Sequence, residues 1–335
     1  MSEFSEALLS WYRAHRRVLP WREDPSPYHV LLSEFMLQQT RVDTAIPYYE
    51  RFLAVYPTIQ DLAKAKEEDV LRLWQGLGYY SRAKNLHKAA IKISESLHGI
   101  TPSEIDTLRT LPGVGPYMSH AVASIVFNQP VVAVDGNLLR VYSRLACDDG
   151  VFEPAGTRRC ESYYLERIDE PSAFNQALMD LGELVCLPSG APLCDQCPFR
   201  SFCLAHKRGK ETDYPPKKKA PSVKNVTITM VLAFDLTGAV AVRRRKENGL
   251  LASMDEFPNV EGEANEKDLL NLFPGLTNIS FLGTTAHRFS HLLWDIRVYQ
   301  AQGVVEGARH VPVEELKTRC SLPTAFLKTL RLLKK

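Results

Sequence analysis

The stretch LPGVGPY, residues 111–117, predicts a tight turn between two short helices. Upstream, Thr101-Pro102-Ser103-Glu104 has the pattern of a capping box with Pro at the first helical position, which predicts the start of the first helix. Gly113 and Gly115 can each adopt positive φ. Apolar residues at helical spacing predict a second helix from Pro116. The sequence therefore indicates two helices joined by a Gly-Val-Gly hairpin.

This turn lacks the Lys-Ser/Thr pair that follows the glycine loop of nucleotide-binding proteins. The free N–H groups at the start of the second helix can bind a phosphate without any lysine. A plain turn that holds no ligand is the alternative, because Gly-rich motifs have many false positives. The turn by itself leaves both interpretations open.

The composition is that of a globular protein with room for two domains. The chain has 335 residues, of which 45% are hydrophobic and 24% charged, and its net charge of +2 does not by itself indicate a nucleic-acid partner. No apolar run approaches the roughly 20 residues of a membrane span. The N-terminus predicts an amphipathic helix on Phe4, Leu8, Trp11 and Tyr12 rather than a targeting peptide. We expect a monomer without a membrane partner, in a bacterial cytoplasm.

A change of texture near residue 212 predicts a domain boundary. Residues 1–211 show helical periodicity, residues 212–224 are rich in Pro and Lys and indicate a linker, and residues 225–335 indicate a mixed α/β domain. Asp235–Gly238 predicts a hairpin turn in this second domain. The predicted elements there are strands at 226–234, 239–242, 296–299 and 303–305, and helices at 266–273 and from 324 onward.

Two carboxylates have positions suited to chemistry. Asp135 follows an apolar run and begins a helix, so it is either a simple N-cap or a carboxylate held ionised by helix N–H groups beside a cationic transition state. Glu34 lies in an apolar helix pattern and is either at its wet edge or desolvated with a raised pKa, as a general acid requires. Gln38, Gln39 and Thr40 add hydrogen-bonding side chains, which we expect at the middle of that helix.

Aromatic and cationic residues are combined in GLGYYSRAKNLH, residues 76–87. Tyr79 lies in a glycine turn and is followed by Arg82 and Lys84. This arrangement suits contact with nucleic acid, and it equally suits a turn packed on a solvated helix.

Four of the seven cysteines fall in one short segment with the spacing C-x7-C-x2-C-x5-C. Such clustering in a reducing compartment indicates a metal centre rather than disulfides. Zinc is the common occupant of four-thiolate sites, whereas a [4Fe–4S] cluster tolerates uneven spacing. Four free thiols are the remaining alternative. The candidate ligands are Cys186, Cys194, Cys197 and Cys203.

Taken together, these segments resemble the MutY-type adenine DNA glycosylases of the helix-hairpin-helix, iron–sulfur superfamily. The matching blocks are LPWR (19–22), SEFMLQQTRV (33–42), GLGYYSRAKNLH (76–87), LPGVGPY (111–117), VDGNLLRV (134–141), FNQALMDLG (174–182) and HRFSHLLW (287–294). The resemblance implies a multidomain fold: an all-α glycosylase domain with a [4Fe–4S] loop, followed by an α/β Nudix-like domain.

The resemblance also implies roles for individual residues. Glu34 would protonate N7 of an adenine flipped out of the duplex, Asp135 would stabilise the oxocarbenium-like sugar, and Asn137 would hold that site. The adenine pocket would comprise Arg17, Trp21, Arg22, Leu37 and Gln176. Contacts with DNA or with an opposing 8-oxoguanine would come from Gln38, Gln39, Thr40, Tyr79, Gly113, Val114, Gly115, Phe289, Ser290 and His291. A monovalent or divalent cation is a further candidate ligand of the hairpin turn.

The resemblance also implies a difference from the related endonuclease III-type enzymes. Those enzymes have a lysine that forms a Schiff base at the position of Tyr117. A tyrosine cannot form the Schiff base, so we expect a monofunctional enzyme. Its expected substrate is duplex DNA with adenine opposite 8-oxoguanine or G. The alternatives are an endonuclease III-like lyase and a non-catalytic DNA-binding module.

The chain departs from the family pattern in several places. Seven residues separate Cys186 from Cys194, where the family usually has six. Leu31 occupies a position where tryptophan is common, and Asp255 one where an aromatic residue is common. The second domain has no REx2E-type block, so we expect no pyrophosphohydrolase activity from it.

Overall fold

The computed structural model describes residues 2–217 and 223–334, and its backbone contacts divide the chain into two compact units. The first comprises Met1–Lys64 and Asn85–Lys218, and the second Ala65–Lys84 and Lys219–Lys335. Ala65–Lys84, predicted to belong with the helical domain, thus groups with the C-terminal residues. Residues 218–222 of the predicted linker lie outside the described residues. The boundaries at 211 and 225 stay a prediction.

Helices dominate the first part of the chain, as predicted. Within residues 2–217 the α-helices are α1 (Glu3–His15), α2 (Pro20–Glu23), α3 (Pro27–Leu37), α4 (Val42–Val55), α5 (Ile59–Lys64), α6 (Glu67–Leu73), α7 (Ser81–Ser96), α8 (Ile105–Arg109), α9 (Pro116–Ile125), α10 (Gly136–Ala146), α11 (Gly156–Leu165), α12 (Pro171–Leu184) and α13 (Leu204–Lys207). No helix within residues 2–217 or 223–334 is long and apolar enough to cross a membrane.

Helix α1 attaches the N-terminus to the core of the first unit. The four apolar residues predicted to share one face of α1 are all buried, and they pack in one cluster with residues of α10, α11 and α12. The Phe4 ring stacks on Phe199, with 4.0 Å between the ring centroids. Because this cluster includes residues of the cysteine-rich segment, α1 also packs against that segment.

The hairpin between α8 and α9 is present, but α8 starts later than the sequence predicts. The expected capping box at Thr101–Glu104 is wrong: Glu104 is the N-cap without a side-chain cap bond, and the Ser103 hydroxyl donates to its carboxylate at 3.0 Å. Gly113 alone of the two hairpin glycines uses positive φ, at 79°. A Cβ there would lie 2.7 Å from Cβ of Asn85 and 2.9 Å from Phe35, so only glycine fits.

The QQT triplet lies in a turn and not at the middle of a helix, so that expectation was wrong. Helix α3 ends at Leu37, Gln38 is its C-cap, and Gln39 has φ 56°. The Thr40 N–H donates to the Leu37 carbonyl at 3.1 Å, which closes the turn before α4 begins. No glycine or proline marks this turn in the sequence, and local pattern reasoning therefore extended the helix through it.

A mixed sheet forms the C-terminal part of the second unit. Its strands within residues 223–334 are β1 (Lys224–Phe234), β2 (Val240–Arg244), β3 (Asp255–Glu256), β4 (Asn259–Glu261), β5 (Leu276–Arg288), β6 (Leu292–Gly303) and β7 (Arg309–Val311), and its helices are α14 (Glu266–Leu272), α15 (Leu316–Arg319) and α16 (Thr324–Leu327). The strand order is β3-β2-β1-β6-β5, with β4 paired to β1 and β7 to β2.

Strand β1 organises this sheet because both of its faces are buried. It runs parallel to β6 from Lys224 opposite Leu292 to Phe234 opposite Gln302. Met230 and Leu232 pack into one apolar cluster, whereas Val231 and Ala233 pack into the cluster on the other face. A central strand covered on both sides reads as a continuous apolar run, which is why the sequence predicted β1 correctly.

Other strand predictions were less accurate. The segment 303–305 is not a strand of its own, since β6 continues to Gly303 and ends there. Strand β5 was not predicted, because this edge strand alternates between exposed and partly buried residues and contains few apolar ones. The predicted hairpin at Asp235–Gly238 is confirmed: β1 and β2 pair at Phe234 and Val240, and the Asp235 carboxylate accepts from the Thr237 N–H at 2.8 Å.

We predict that Phe326→Ala destabilises the protein by about 3–5 kcal/mol, the usual cost of truncating a fully buried phenylalanine. The Phe326 ring is fully buried and makes edge contacts with Phe257 and Trp294 at centroid distances of 6.3 and 6.0 Å. Urea denaturation measures the loss. Leu236→Ala, at a fully exposed side chain, is the matched control and should change stability by less than about 0.5 kcal/mol.

Candidate active site

Glu34 is buried by the helix that carries it. Helix α3 starts after Ser26, whose hydroxyl accepts the His29 N–H at 3.2 Å, and residues 30–36 are all buried. A helix that is apolar around its whole circumference must lie inside the protein, and the Glu34 carboxyl group is taken inside with it. Only 6% of Glu34 is exposed, and this desolvation raises its pKa to about 7.

Tyr117 is the hydrogen-bond partner of this carboxyl group. It lies in the first turn of α9, immediately after the hairpin, and its hydroxyl donates to Glu34. This bond opposes the rise of the Glu34 pKa, while burial and the two carboxylates raise the pKa of Tyr117 well above its ordinary value. Tyr117 therefore keeps its proton and orients Glu34.

Asp135 is both the N-cap of α10 and a member of the site. Its Oδ1 accepts the Leu138 N–H at 2.7 Å, and its Oδ2 accepts the Asn137 side-chain N–H at 3.0 Å. Burial is the largest influence and raises the pKa of Asp135, whereas these hydrogen bonds and the Arg140 charge lower it. The two interpretations weighed from the sequence are thus compatible, and the carboxylate is partly protected from protonation by the helix N-terminus.

Asn137 is held in turn by Arg140. The Arg140 Nη2 donates to Asn137 Oδ1 at 2.8 Å and to the Gly182 carbonyl at 2.7 Å, and its Nε donates to the Cys186 carbonyl at 2.8 Å. A Cβ at Gly182 would lie 2.6 Å from Cβ of Asn137, so the close approach of α12 needs glycine there. A continuous set of contacts therefore links Asp135 to the start of the cysteine segment.

One cavity of about 360 Å³ brings the predicted catalytic residues and the predicted adenine pocket together. Its volume lies in the range of small-molecule sites. The lining residues predicted from the sequence are Arg17, Trp21, Arg22, Glu34, Leu37, Gln39, Thr40, Tyr117, Asp135, Asn137 and Gln176. The lining residues that sequence reasoning missed are Leu19, Val30, Ser33, Arg41, Val42, Ile125, Met179 and Glu183.

Two walls of the cavity have a simple sequence basis. Gln176, Met179 and Glu183 line it from α12, at intervals of three and four residues that place them on one helix face. Periodicity could have identified Met179 and Glu183 once Gln176 was chosen. Arg17 and Arg22 come from the loop and short helix after α1, where Pro20 occupies the first helical position of α2.

The other predicted DNA-contacting residues are not among those that line this cavity. Gln38 and the hairpin residues Gly113–Gly115 belong to the first unit. Tyr79 belongs to the second unit, has φ 47° and is 45% exposed. Its hydroxyl group hydrogen-bonds to that of Ser290 within the same unit.

The predicted lesion-reading residues lie in the turn between β5 and β6. The Phe289 N–H donates to the Leu292 carbonyl at 2.7 Å, which closes the turn. The Phe289 ring packs edge-on against Trp294, with 5.0 Å between the centroids, while Ser290 and His291 are exposed. Phe289 therefore anchors the turn, and the two polar residues lie at its surface.

The four clustered cysteines line a second, smaller cavity in the first unit. Arg144 Nη1 donates to the Cys186 sulfur at 3.1 Å. Burial raises the pKa of Cys194 to about 11 and that of Cys197 to about 12, so without a metal these thiols would stay protonated. Four sulfur donors beside a guanidinium fit a thiophilic centre that binds them as thiolates.

A mixed donor set adjoins these thiols. Cys194, His206 and Glu211 each place one donor atom within 4.8 Å of the other two. His206 and Glu211 are already paired, with 2.6 Å between Nδ1 and Oε1. A hydrogen bond from its own backbone N–H and then the pair with His206 lower the pKa of Glu211. The four sulfurs remain the larger candidate ligand set.

Two segments of the chain match known protein families. Residues 32–159 match the HhH-GPD superfamily of base excision DNA repair proteins, and residues 229–332 match the NUDIX domain family. The adenine DNA glycosylase of rat is 34% identical over 99% of this chain and 78% of its own length, and that of human is 33% identical over 99% and 74%. A relative in Buchnera aphidicola is 32% identical over 86% of this chain and 83% of its own.

Solved structures support the fold of the helical part. A thermostable thymine-DNA glycosylase aligns with a TM-score of 0.57 at 24% identity, covering 61% of this chain and 95% of that one. A non-covalent endonuclease III–DNA complex aligns with a TM-score of 0.53 at 21% identity, covering 62% and 98%. The family matches and the curated relatives, together with this fold, identify the chain as a DNA glycosylase of the helix-hairpin-helix superfamily with a Nudix-like C-terminal domain.

Within that superfamily, the chain belongs to the MutY-type adenine DNA glycosylase family. It is therefore a base excision repair enzyme whose partner is DNA.

We predict that Glu34→Gln stabilises the protein relative to the wild type, by an amount that grows as the pH rises. The raised pKa of Glu34 means that the folded protein loses stability between the ordinary glutamate pKa and about 7, because only the unfolded chain ionises freely. Glutamine does not ionise, so the gain of the variant over the wild type should grow by about 2–3 kcal/mol from pH 5 to pH 8.

Denaturation of both proteins at these two pH values measures the difference. Glu50→Gln, at an exposed glutamate on α4, is the control and should show no such growth. An equal effect of Glu34→Gln at pH 5 and pH 8 would contradict a desolvated carboxyl group.

Proposed function

We propose that this enzyme excises adenine paired with 8-oxoguanine or G from duplex DNA, as a monofunctional glycosylase that leaves an abasic site. The single observation that carries the proposal is that one cavity contains both the desolvated Glu34 and Asp135, the N-cap of α10. Two carboxyl groups in different environments can act as acid and as anion at the same pH. The family likeness to adenine DNA glycosylases supports adenine as the base removed.

The reaction follows from these two environments. Protonated Glu34 donates its proton to N7 of the flipped adenine, the bond between C1′ and N9 breaks, and its electron pair passes to the base. Ionised Asp135, held by Asn137, stabilises the positive charge that develops on the sugar. A water molecule then adds to C1′ and gives up a proton to the Glu34 carboxylate, which restores the acid and completes hydrolysis. Arg17, Trp21, Arg22, Leu37 and Gln176 hold the base.

Tyr117 supports the monofunctional assignment. It retains its proton and hydrogen-bonds to Glu34, where a lyase would need an amine nucleophile. The proposed path ends at the abasic site, without cleavage of the strand.

Contacts outside the cavity would select the substrate. The hairpin residues Gly113, Val114 and Gly115 and the start of α9 would bind a DNA phosphate, with a monovalent or divalent cation as a further ligand of the turn. Gln38, Gln39 and Thr40 lie in the turn after α3, where Gln39 is exposed and the other two are partly buried, and they would contact the opposing strand. Tyr79, Phe289, Ser290 and His291 would read the 8-oxoguanine; two of them already share a hydrogen bond.

The cysteine segment would hold a [4Fe–4S] cluster through Cys186, Cys194, Cys197 and Cys203. When bound, such a cluster crosslinks the segment at four points. The Arg144 guanidinium would then stabilise the thiolate of Cys186. Arg140 hydrogen-bonds to both the Cys186 carbonyl and Asn137. A change in the order of the cysteine segment would therefore change the position of Asn137 in the catalytic site.

The central prediction concerns a duplex with one adenine opposite 8-oxoguanine under single-turnover conditions. The wild-type enzyme should release free adenine, and strand breaks should follow only after hot alkali. Asp135→Asn should lower the rate by at least about 100-fold, as expected when a charge-stabilising group is removed from a preorganised site. Gel analysis with and without alkali, together with chromatography of the released base, measures both.

A duplex with adenine opposite thymine is the control and should react far more slowly. Strand breaks without alkali would contradict the monofunctional assignment. Preferential release of an oxidised pyrimidine would favour the endonuclease III-like alternative, and tight DNA binding without any base release would favour the binding module.

We predict that purified protein contains iron and labile sulfide, with the broad visible absorbance of an iron–sulfur cluster. Cys194→Ser should reduce both, because one of four ligands is lost. Cys320→Ala, at a buried cysteine of the second unit, is the matched control and should retain the wild-type iron content. A colourless protein with one zinc ion per chain would contradict the iron–sulfur cluster and favour the zinc alternative.

A further inference from the structure

A buried carboxylate outside the cavity wall holds two of the cavity's arginines. The Asp180 side chain has no exposed area, and those of Arg22 and Arg17 are 9% and 23% exposed. Arg22 binds Asp180 in a bidentate manner, with Nη1–Oδ2 at 2.7 Å and Nη2–Oδ1 at 3.1 Å. Arg17 adds Nε–Oδ1 at 2.7 Å, and its backbone N–H donates to Oδ2 at 3.3 Å.

This geometry leaves the two guanidinium groups little freedom. A bidentate arginine pair is planar and directional, so Asp180 fixes the plane of Arg22 as well as its position. Asp180 lies on α12 one turn beyond Gln176, which lines the cavity itself. Both oxygens of Asp180 are engaged by the arginines, and Asp180 itself is not among the residues that line the cavity.

We propose that Asp180 is a positioning residue for adenine excision: it fixes Arg17 and Arg22 at the cavity wall and offsets one of their two positive charges beside Glu34. The inference rests on the proposed function, since it assigns the way in which the base pocket is held. Removing the carboxylate would release both guanidiniums and leave two uncompensated charges next to the general acid.

The charge balance around Glu34 makes this role measurable. Desolvation is the largest influence and raises the pKa of Glu34; the Tyr117 hydrogen bond lowers it, the Asp135 charge raises it, and the Arg22 charge lowers it. The charged and titratable side chains that line the cavity with Glu34 are Arg17, Arg22, Arg41, Tyr117, Asp135 and Glu183. Loss of the Asp180 charge strengthens the positive side of this balance, so Glu34 would give up its proton at a lower pH.

The test is the pH profile of single-turnover excision by the full-length protein carrying Asp180→Asn. We expect the saturating rate at neutral pH to fall by up to about 100-fold, as misplacement of a positioning group does. The pH at which the rate falls to half on the alkaline side should move down by about one unit. Affinity for a duplex with a non-cleavable 2′-fluoro adenine nucleotide should stay within about twofold, because phosphate contacts dominate affinity for DNA and the fully buried Asp180 side chain makes none of them.

Asp148→Asn is the matched control. Asp148 also binds one arginine in a bidentate manner, with Arg159 Nε–Oδ2 at 2.8 Å and Nη2–Oδ1 at 2.9 Å, but neither residue lines the cavity. This variant should keep the wild-type rate and the wild-type midpoint. An Asp180→Asn rate that falls equally at every pH, with an unchanged midpoint, would overturn the proposal in favour of a merely structural ion pair.

Two further outcomes are distinguishable. If Asp180→Asn does not fold, the double variant Asp180→Asn with Arg17→Gln removes one charge of each sign; it should fold with the wild-type midpoint and a reduced rate, and a wild-type rate would overturn the positioning role. If the wild-type enzyme releases no adenine, the proposed function fails and this inference fails with it. Normal wild-type release alongside an unaltered Asp180→Asn variant overturns the Asp180 assignment alone.

Discussion

Desolvation of the Glu34 carboxyl group is the constraint on which the site depends. Helix α3 is buried around its whole circumference, so the carboxyl group has little contact with water and its pKa rises to about 7. The protein could not place an ordinary glutamate in the same position without losing the protonated form at neutral pH. Tyr117 and Asp135 are arranged around a carboxyl group whose proton is available at neutral pH. Burial of this carboxyl group lowers the stability of the folded protein.

Features governed by neighbouring residues could be predicted from the sequence. The hairpin at Gly113 follows from the conformational freedom of glycine, and the N-cap role of Asp135 follows from its place before a helical pattern. The apolar run of β1 identifies a strand with two covered faces. The list of catalytic and pocket residues came from the family resemblance, and the cavity brings all of them together, although their individual roles stay predictions.

Features that depend on distant parts of the chain could not be predicted. The turn at Gln38–Thr40 separates α3 from α4 without a glycine or proline to mark it. Strand β5 is stabilised by its pairing with β6 and not by an apolar pattern of its own. The Asp180 contact joins residues more than 150 positions apart, and its sequence context shows only an acidic residue in a helix. No local pattern distinguishes such a residue from a solvated one.

The position of each carboxyl group relative to its helix explains how one cavity can hold an acid and an anion. Glu34 lies within a helix, where the backbone N–H groups are already bonded and cannot stabilise its charge. Asp135 lies at a helix N-terminus, where free N–H groups and the helix dipole favour the ionised form. Arginines that would help to bind a base work against the protonated state of Glu34, because their positive charges favour the ionised form of both carboxyl groups. A buried aspartate that binds those arginines, as Asp180 does, would fix their hydrogen-bonding geometry while reducing their net charge. A pocket that combines cationic walls with a neutral carboxylic acid can use such a buried anion to limit the effect of the cations on the pKa of the acid.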